Sequence, residues 1–371
     1  MFSTRAHWNA ATNRLTLARQ AYRGTLLDLT NANPTKAALP YPLDELADVM
    51  SRAARATYDP QPLGIPSARE AVARELDCEA GDIVITASTS DAYSFLFKLL
   101  CDPGDAVLTA KPSYPLLEHL AALELIDLHY FALDFHKRWE LDPARVREAL
   151  TDRTRAVLVV NPNNPTGSFV AADEQDAIAS LGLPVISDEV FHPFAFGDAA
   201  PSFVRDDVLT FTLGGLSKSA GLPHYKLGWI RVSGPGKADA INALELIADN
   251  FLSVSTPVQA ALPELLAIAP QIRDAIRQRT SSNLAKLQQD ISDYPAARVL
   301  PVEGGWSAVI RVPRIDSDEA LALRLIEKHG VVVHPGYFFD FETDGHLVVS
   351  LLTEPTIFEE GIARLISSLP R

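Results

Sequence analysis

Only two of the 371 residues are cysteine. Neither a disulfide framework nor a cysteine-rich metal site can be built from two, so Cys78 and Cys101 read as small packing or surface residues. Positive charge is also scarce: 33 Lys and Arg stand against 47 Asp and Glu, a formal net charge of −14. No basic block interrupts that acidic balance, which argues against nucleic acid as a partner. No apolar run reaches the roughly 18 residues that a membrane span needs. The polar opening, Met1–Arg14, lacks the apolar centre of a secretory signal. Internal repeats, low-complexity tracts and charge runs are missing too, which excludes solenoids and disordered tails. The expectation is a soluble, cytoplasmic, globular chain with no membrane or nucleic-acid partner. Its length suffices for a large domain and a smaller satellite.

What is present is alternation. Short apolar, β-branched runs occur at Asp82–Thr86, Ala106–Thr109, Ala156–Val160, Val185–Ser187, Val208–Leu213 and Leu227–Val232. Helical patterns lie between most of them; in one, Ala92, Phe95, Leu96, Leu99 and Leu100 repeat at i, i+3, i+4, i+7, i+8. Ser88, with Asp91 three residues on, resembles a capping box and marks where that helix begins. Strands that alternate with helices and are apolar on both faces imply a mostly parallel sheet covered on both sides. Between Leu213 and Leu227 the chain is too short for a full crossover, which takes roughly a dozen residues or more, so Leu227–Val232 is expected to run antiparallel. Long helices are expected over Lys237–Asp249 and Pro263–Gln289. Beyond them the alternation gives way to strands at Val299–Val302, Ser307–Val312, Val331–His334 and His346–Leu351, with helices at Ser317–His329 and Pro355–Ser368. This reads as a separate α+β unit. The proline-rich stretch Asn33-Pro34 to Pro40-Tyr41-Pro42 reads as an extended arm that joins it. The expected division is an N-terminal arm over 1–45, a large domain over 46–275 and a small domain over 276–371.

In an open parallel sheet, ligands sit outside the carboxyl ends of the strands. The residues that follow each run are therefore the candidates: Ala87-Ser88-Thr89-Ser90, then Lys111-Pro112-Ser113-Tyr114-Pro115, then Asn161-Pro162-Asn163-Asn164-Pro165-Thr166-Gly167, then Asp188-Glu189, then Gly214-Gly215-Leu216-Ser217-Lys218. One edge gathers an anion cradle, an aromatic ring, an amide, a carboxylate and a lysine. That set suits an anionic, aromatic cofactor that carries a carbonyl. Asn161-Pro162 and Asn164-Pro165 are both candidates for cis peptide bonds. His192 and His224 lie near these motifs without a metal-ligand pattern around them.

Asn161–Gly167, Ser187-Asp188-Glu189-Val190 and Leu216-Ser217-Lys218, in that order, resemble the fold-type I pyridoxal-phosphate enzymes. The nearest group is the class I/II aminotransferases related to aspartate and alanine aminotransferases. The resemblance extends from Tyr58-Asp59-Pro60 and Gly64 through the small domain. It implies a mostly parallel, seven-stranded-type sheet with helices on both faces, plus a smaller α+β domain. It also implies pyridoxal 5′-phosphate as the cofactor. Lys218 would carry it as a Schiff base and move protons at the substrate α-carbon, a task suited to an amine whose pKa falls on desolvation. Asp188 would pair with the ring nitrogen so that the ring serves as an electron sink. Asn164 would bond the phenolic oxygen, Tyr114 would stack on the ring, and Thr89, Ser90, Ser217 and Lys226 would hold the phosphate. Thr89 and Ser90 would do so at a helix N-terminus, where plain capping uses the same groups. Tyr58 matches a tyrosine that reaches the neighbouring subunit's phosphate, which implies a homodimer. Glu189 stays open between a supporting role and an ordinary helix-start acid.

Four positions depart from the family pattern. Phe191 stands where a tyrosine hydroxyl is usual, which should raise the pKa of the Lys218 Schiff base. Gly215 replaces a phosphate-binding serine. Lys226 replaces an arginine and keeps the charge without the bidentate fork. Val348 stands where many members place the arginine that clamps the substrate carboxylate. Substitutes to consider are Arg311 and Arg314, after Gly304-Gly305-Trp306, and Lys36 with Asn33 on the arm; Trp306 is a further substrate candidate. The leading reading is an aminotransferase that passes an amino group from an amino acid or amine to a keto acceptor with ping-pong kinetics. A carbon–sulfur β-lyase or other α,β-eliminating enzyme is the alternative. A non-catalytic sensor is disfavoured, because no basic helix-turn-helix pattern precedes Tyr58.

Overall fold

Ile83–Thr86 is buried at every position, and its side chains alternate between two cores. Ile83 and Ile85 pack with Trp229, Val72 and Leu262, whereas Val84 packs with Leu96, Phe97 and Phe211. A strand covered on both faces belongs inside an α/β sandwich. In this computed structural model, which describes residues 3, 5, 12–198, 201–252 and 254–369, it borders an eight-stranded sheet. The spatial order is Ile83–Thr86, Gly228–Ser233, Thr210–Gly215, Val185–Asp188, Thr154–Val160, Ala106–Lys111, Asp127–Phe135, Trp139–Leu141. Most of the polar opening of the chain, including the start of the expected arm, lies outside the described residues.

Gly228–Ser233 pairs antiparallel with Thr210–Gly215 on one side and with Ile83–Thr86 on the other. The short Leu213-to-Leu227 connection demands that arrangement. The neighbours from Thr210–Gly215 to Asp127–Phe135 are parallel. The sheet exceeds the expected seven strands by one, because Trp139–Leu141 folds back antiparallel on Leu133–Phe135. Asp127–Phe135 is mostly half buried, and its alternation of polar and apolar residues lacks the continuous run of a central strand.

The helix Thr89–Leu100 starts where Ser88 accepts a hydrogen bond from the Asp91 N–H at 3.2 Å. With Lys237–Asp249 it covers one face of the sheet, where Tyr93, Phe97, Phe211 and Leu244 are buried. The other face takes the helices Leu43–Ala53 and Pro66–Glu75 together with a long helix, Thr256–Ser292. That helix begins before Pro263: Pro257 occupies its first turn, where proline lacks nothing the helix needs, and Pro263 and Pro270 lie inside it. It starts among the core residues of the large sheet (Leu262, Leu265, Ile272, Ile276) and ends in a second core with Leu284, Leu287 and Ile291.

That second core is roofed by an antiparallel sheet in the order Arg298–Val299, Ser307–Arg311, His346–Ser350, His334–Pro335. Leu27–Asp28 from the beginning of the chain pairs with Val331–Val332. The helices Asp318–Arg324 and Pro355–Ser368 pack against it.

Long-range polar bonds join the parts. Asn283 of the long helix, 3% exposed, donates to the Leu351 carbonyl at 2.8 Å and to the Thr353 carbonyl at 2.7 Å. Arg279, one turn earlier, donates to the Ala37 carbonyl at 2.7 Å. Asn283→Leu keeps the volume but strands two buried carbonyls, so it should destabilise the protein by about 2–4 kcal/mol. A urea melt checks this through a lowered midpoint at an unchanged slope.

Candidate active site

The carboxyl ends of Ile83–Thr86, Ala106–Lys111, Thr154–Val160, Val185–Asp188 and Thr210–Gly215 share one edge, so the residues after them meet there. Asp188 closes its strand and is 6% exposed. Its Oδ2 accepts from the Tyr93 hydroxyl at 2.6 Å and its Oδ1 from the Val190 N–H at 3.1 Å. Burial pushes its pKa up, and Glu189 acts in the same direction. The two hydrogen bonds and the Lys218 charge pull it down.

Lys218 lies on the adjacent strand's exit, in the helical turn Leu216–Ser219 that follows Gly215 directly. The Ser219 hydroxyl donates to the Val190 carbonyl at 3.1 Å, and Arg273 donates to the Ser219 carbonyl at 2.6 Å, which fixes the turn. The Lys218 amine is 5.4 Å from the centre of the Trp306 ring. Burial lowers its pKa, and the nearby Asp188 charge opposes part of that fall. A half-buried lysine whose pKa is lowered toward the neutral amine is a better nucleophile than one in open water.

Polar groups around the edge divide into those already committed to the fold and those that are not. Asn161 donates its N–H to the Asp188 carbonyl at 2.8 Å and accepts from the Val170 N–H at 3.0 Å. Asn163 donates to the Pro112 carbonyl and to Thr166, both at 2.9 Å. Both flanking bonds, Asn161-Pro162 and Asn164-Pro165, are cis, as is Lys111-Pro112. Glu189 is fully engaged by Ser187 at 2.9 Å, Ser202 at 2.6 Å and the Phe203 N–H at 2.7 Å, which makes it part of the scaffold. By contrast, the side chains of Thr89, Ser90, Tyr114, Asn164, Ser217 and Lys218 make no hydrogen bond to the described residues. Unspent polar groups gathered at one edge are what a ligand requires.

The turn into the helix Thr89–Leu100 is tight. Thr86 donates its hydroxyl to the Ser88 carbonyl at 2.9 Å, and a Cβ on Gly228 would come within 3.1 Å of the Thr89 nitrogen. Only glycine lets the strand approach the helix start so closely, and that start presents free N–H groups and a positive dipole end to an anion.

The departures from the family pattern have local causes. A Cβ on Gly215 would meet the Gly228 Cα and the Leu227 carbonyl oxygen, both at 3.0 Å, so a serine there presses on the neighbouring strand. Phe191 packs edge-on against Trp306 at 5.2 Å, as does Phe194 at 5.1 Å. Val348 is 1% exposed in an apolar cluster with Trp139, Leu300, Val309, Phe339 and Phe341. No cation stands at that point of the last strand.

The remaining sequence candidates scatter. Lys36 and Asn33 line a cavity of about 600 Å³ together with Lys218, Thr353 and Glu354. Asn33 is committed to its own turn, accepting from the Thr35 N–H at 3.0 Å and its hydroxyl at 2.7 Å. Lys36 is exposed and has no ion pair with the described residues. Arg311 and Arg314 do not reach this cavity. They line another, of about 240 Å³, with Lys111, Phe341 and His346. Lys226 is exposed in a left-handed turn with φ of 52°. Tyr58 is 64% exposed. His224 lies beside Tyr225 with ring centres 4.2 Å apart and planes tilted by 43°, and His192 lies against Phe169. No group of three metal-ligating side chains occurs among the described residues. Cys78 and Cys101 are free thiols. No helix among the described residues is long and apolar enough to cross a membrane.

Sequence reasoning passes over Tyr93, which reads as one more core residue of its helix. The available signal is its position, four residues after Thr89 on a helix that starts at the ligand edge.

A carboxylate and an amine on adjacent strand ends, an uncommitted amide and an open helix N-terminus form a donor set that pyridoxal 5′-phosphate fits, with its ring nitrogen, aldehyde, phenolic oxygen and phosphate. The fold and this donor set define the class: an α/β protein whose sheet edge is built for a cofactor of this kind. Residues 26–365 match the family model "Aminotransferase class I and II", and the chain belongs to that family, whose members work with pyridoxal 5′-phosphate. Over 240 residues it is 31% identical to nicotianamine aminotransferase 1 of Oryza sativa, a match covering 60% of this chain and 48% of that protein. The chain thus spans about half the length of that relative. It is 26% identical over 364 residues to alanine aminotransferase of Mycobacterium tuberculosis, covering 92% of this chain and 84% of that one. The solved structure of an alanine aminotransferase from Pyrococcus furiosus superposes with a TM-score of 0.89 and 22% identity over 99% of both chains, a likeness of fold.

Borohydride reduction of protein loaded with pyridoxal 5′-phosphate should fix the adduct on Lys218, located by peptide mapping. Lys218→Ala should leave none, whereas Lys36→Ala and Lys226→Ala should leave it in place. In the cofactor-free protein, condensation at Lys218 should rise through a midpoint below the ordinary lysine value of about 10.4, since burial favours the neutral amine.

Proposed function

We propose that the chain is a pyridoxal 5′-phosphate-dependent aminotransferase that moves an amino group from an amino acid or amine to a keto acceptor. The observation that carries this reading is the placement of Asp188 and Lys218: a buried acid and a half-buried, uncommitted amine on neighbouring strand ends, each within reach of the other's charge. When bound, the cofactor supplies an aldehyde that accepts the amino group and a ring that withdraws electrons from the substrate α-carbon.

This chain's own residues do the rest. Lys218 holds the cofactor through its amine. Freed from the cofactor, that amine would serve as the base that takes the substrate's α-proton and as the acid that gives it back; burial lowers its pKa, which favours the neutral, proton-accepting form. Asp188 holds the ring nitrogen in its protonated form. Asn164 donates to the phenolic oxygen, Tyr114 covers a ring face, and Thr89, Ser90 and Ser217 bind the phosphate, with Lys226 adding charge. Tyr58, exposed on its own chain, reaches the phosphate of a second copy in a homodimer.

With apolar packing at Val348, the substrate carboxylate has Lys36 as its cationic partner on the Lys218 side of the molecule. Lys36→Ala should raise KM for α-amino acids roughly tenfold while leaving kcat nearly unchanged, and should leave the decarboxylated amines unaffected. The activity itself is tested by a half-reaction. An amino donor added to the loaded protein should bleach the aldehyde absorbance, a keto acid should restore it, and steady-state plots should give the parallel lines of ping-pong kinetics. Pyruvate and ammonia released from cysteine conjugates without bleaching would instead support elimination.

A further inference from the structure

Asp188 is in a difficult position for an acid that must stay ionised. Water is excluded from it, Glu189 adds a like charge beside it, and both effects favour the protonated form. Among the described residues its Oδ1 has only the Val190 N–H, and its Oδ2 only the Tyr93 hydroxyl at 2.6 Å.

Tyr93 is itself 1% exposed, on the helix face that carries Ala92, Leu96 and Phe97 into the apolar core. Phenylalanine would fill the same volume there, and burying a phenol hydroxyl is unfavourable unless it finds a partner. That partner is Asp188, and the side chains of Phe97, at 6.0 Å, and the sheet hold the ring in place. Tyr93 also lies one turn after Thr89. The helix that offers its N-terminus to an anion therefore grips the acid four residues later.

We infer that Tyr93 is a positioning residue for the cofactor. Its hydroxyl keeps Asp188 charged and aimed at the ring nitrogen, and its helix ties that end of the cofactor to the end where the phosphate sits. The inference rests on the proposed roles of Asp188 and Thr89 above and adds the residue that couples them. A hydrogen bond to a charged acceptor is among the stronger ones in a protein, and its loss leaves a buried carboxylate with one partner fewer.

A double-mutant cycle tests it by equilibrium binding of pyridoxal 5′-phosphate to the cofactor-free protein, followed by tryptophan fluorescence. Tyr93→Phe should weaken binding roughly tenfold. On an Asp188→Asn background the same change should weaken it less than about twofold, because the acceptor charge is already gone. A urea melt of Tyr93→Phe with an unchanged slope and a transition well above the assay conditions guards against a variant that simply misfolds. Equal losses on both backgrounds would show that Tyr93 only packs, and would overturn the inference. So would tight binding by Tyr93→Phe alongside weak binding by Asp188→Asn. If Asp188→Asn alone binds as tightly as the unaltered protein, the reading of the site falls first, and the role of Tyr93 falls with it.

Discussion

A carboxylate kept charged where water does not reach is the constraint around which this molecule is organised. Asp188 is buried at the end of an interior strand, and desolvation favours its protonated form. The countervailing groups come from separate parts of the chain: a phenol from the helix Thr89–Leu100, a backbone N–H from the turn at Val190, and an amine from the exit of the next strand. The sheet is what makes these meet. Parallel neighbours deliver their ends to one edge, and the antiparallel insertion of Gly228–Ser233 brings the start of the helix Thr89–Leu100 beside the turn that carries Lys218.

The second organising element is the long helix Thr256–Ser292. It is shared by both cores, and its polar side chains reach the carbonyls that shape the cavity beside Lys218: Arg279 to Ala37, and Asn283 to Leu351 and Thr353. Ser350 adds a hydroxyl bond to the Asn31 carbonyl at 2.6 Å. The early segment that carries Lys36 and the segment after the last strand are therefore held against one rod, although more than three hundred residues separate them in sequence. Charge on this side of the molecule is arranged by packing over long range, not by neighbours along the chain.

That division explains what could be read in advance. The central strands are apolar at nearly every position because both faces are covered, so Val185–Asp188 and Thr210–Gly215 stand out in sequence, and the residues after them follow. The Ser88 cap is legible because capping is local. Asp127–Phe135 is not legible, since its half-buried side chains dilute the run, and its short partner Trp139–Leu141 exists only by pairing with it. The start of the long helix is misjudged because Pro263 imitates a first-turn proline while Pro257 fills that place. Choosing between Lys36 and Arg311 requires knowing which cavity each one lines, and that is decided by how the small sheet stacks. Tyr93 hides for a similar reason: a lone hydroxyl in an apolar helix face shows its purpose only when the acid opposite it is visible.

The close seam at Gly215 and Gly228 has a corollary. The two residues face each other across an antiparallel pair, and a methyl group on Gly215 would come within 3.0 Å of the Gly228 Cα, so the seam would have to give by a few tenths of an ångström. A hydroxyl-bearing residue at 215 would set a phosphate contact against that small displacement of the backbone opposite. A chain with this seam therefore has reason to draw its hold on an anion from elsewhere, first of all from the mouth of the helix Thr89–Leu100 that Gly228 lets approach.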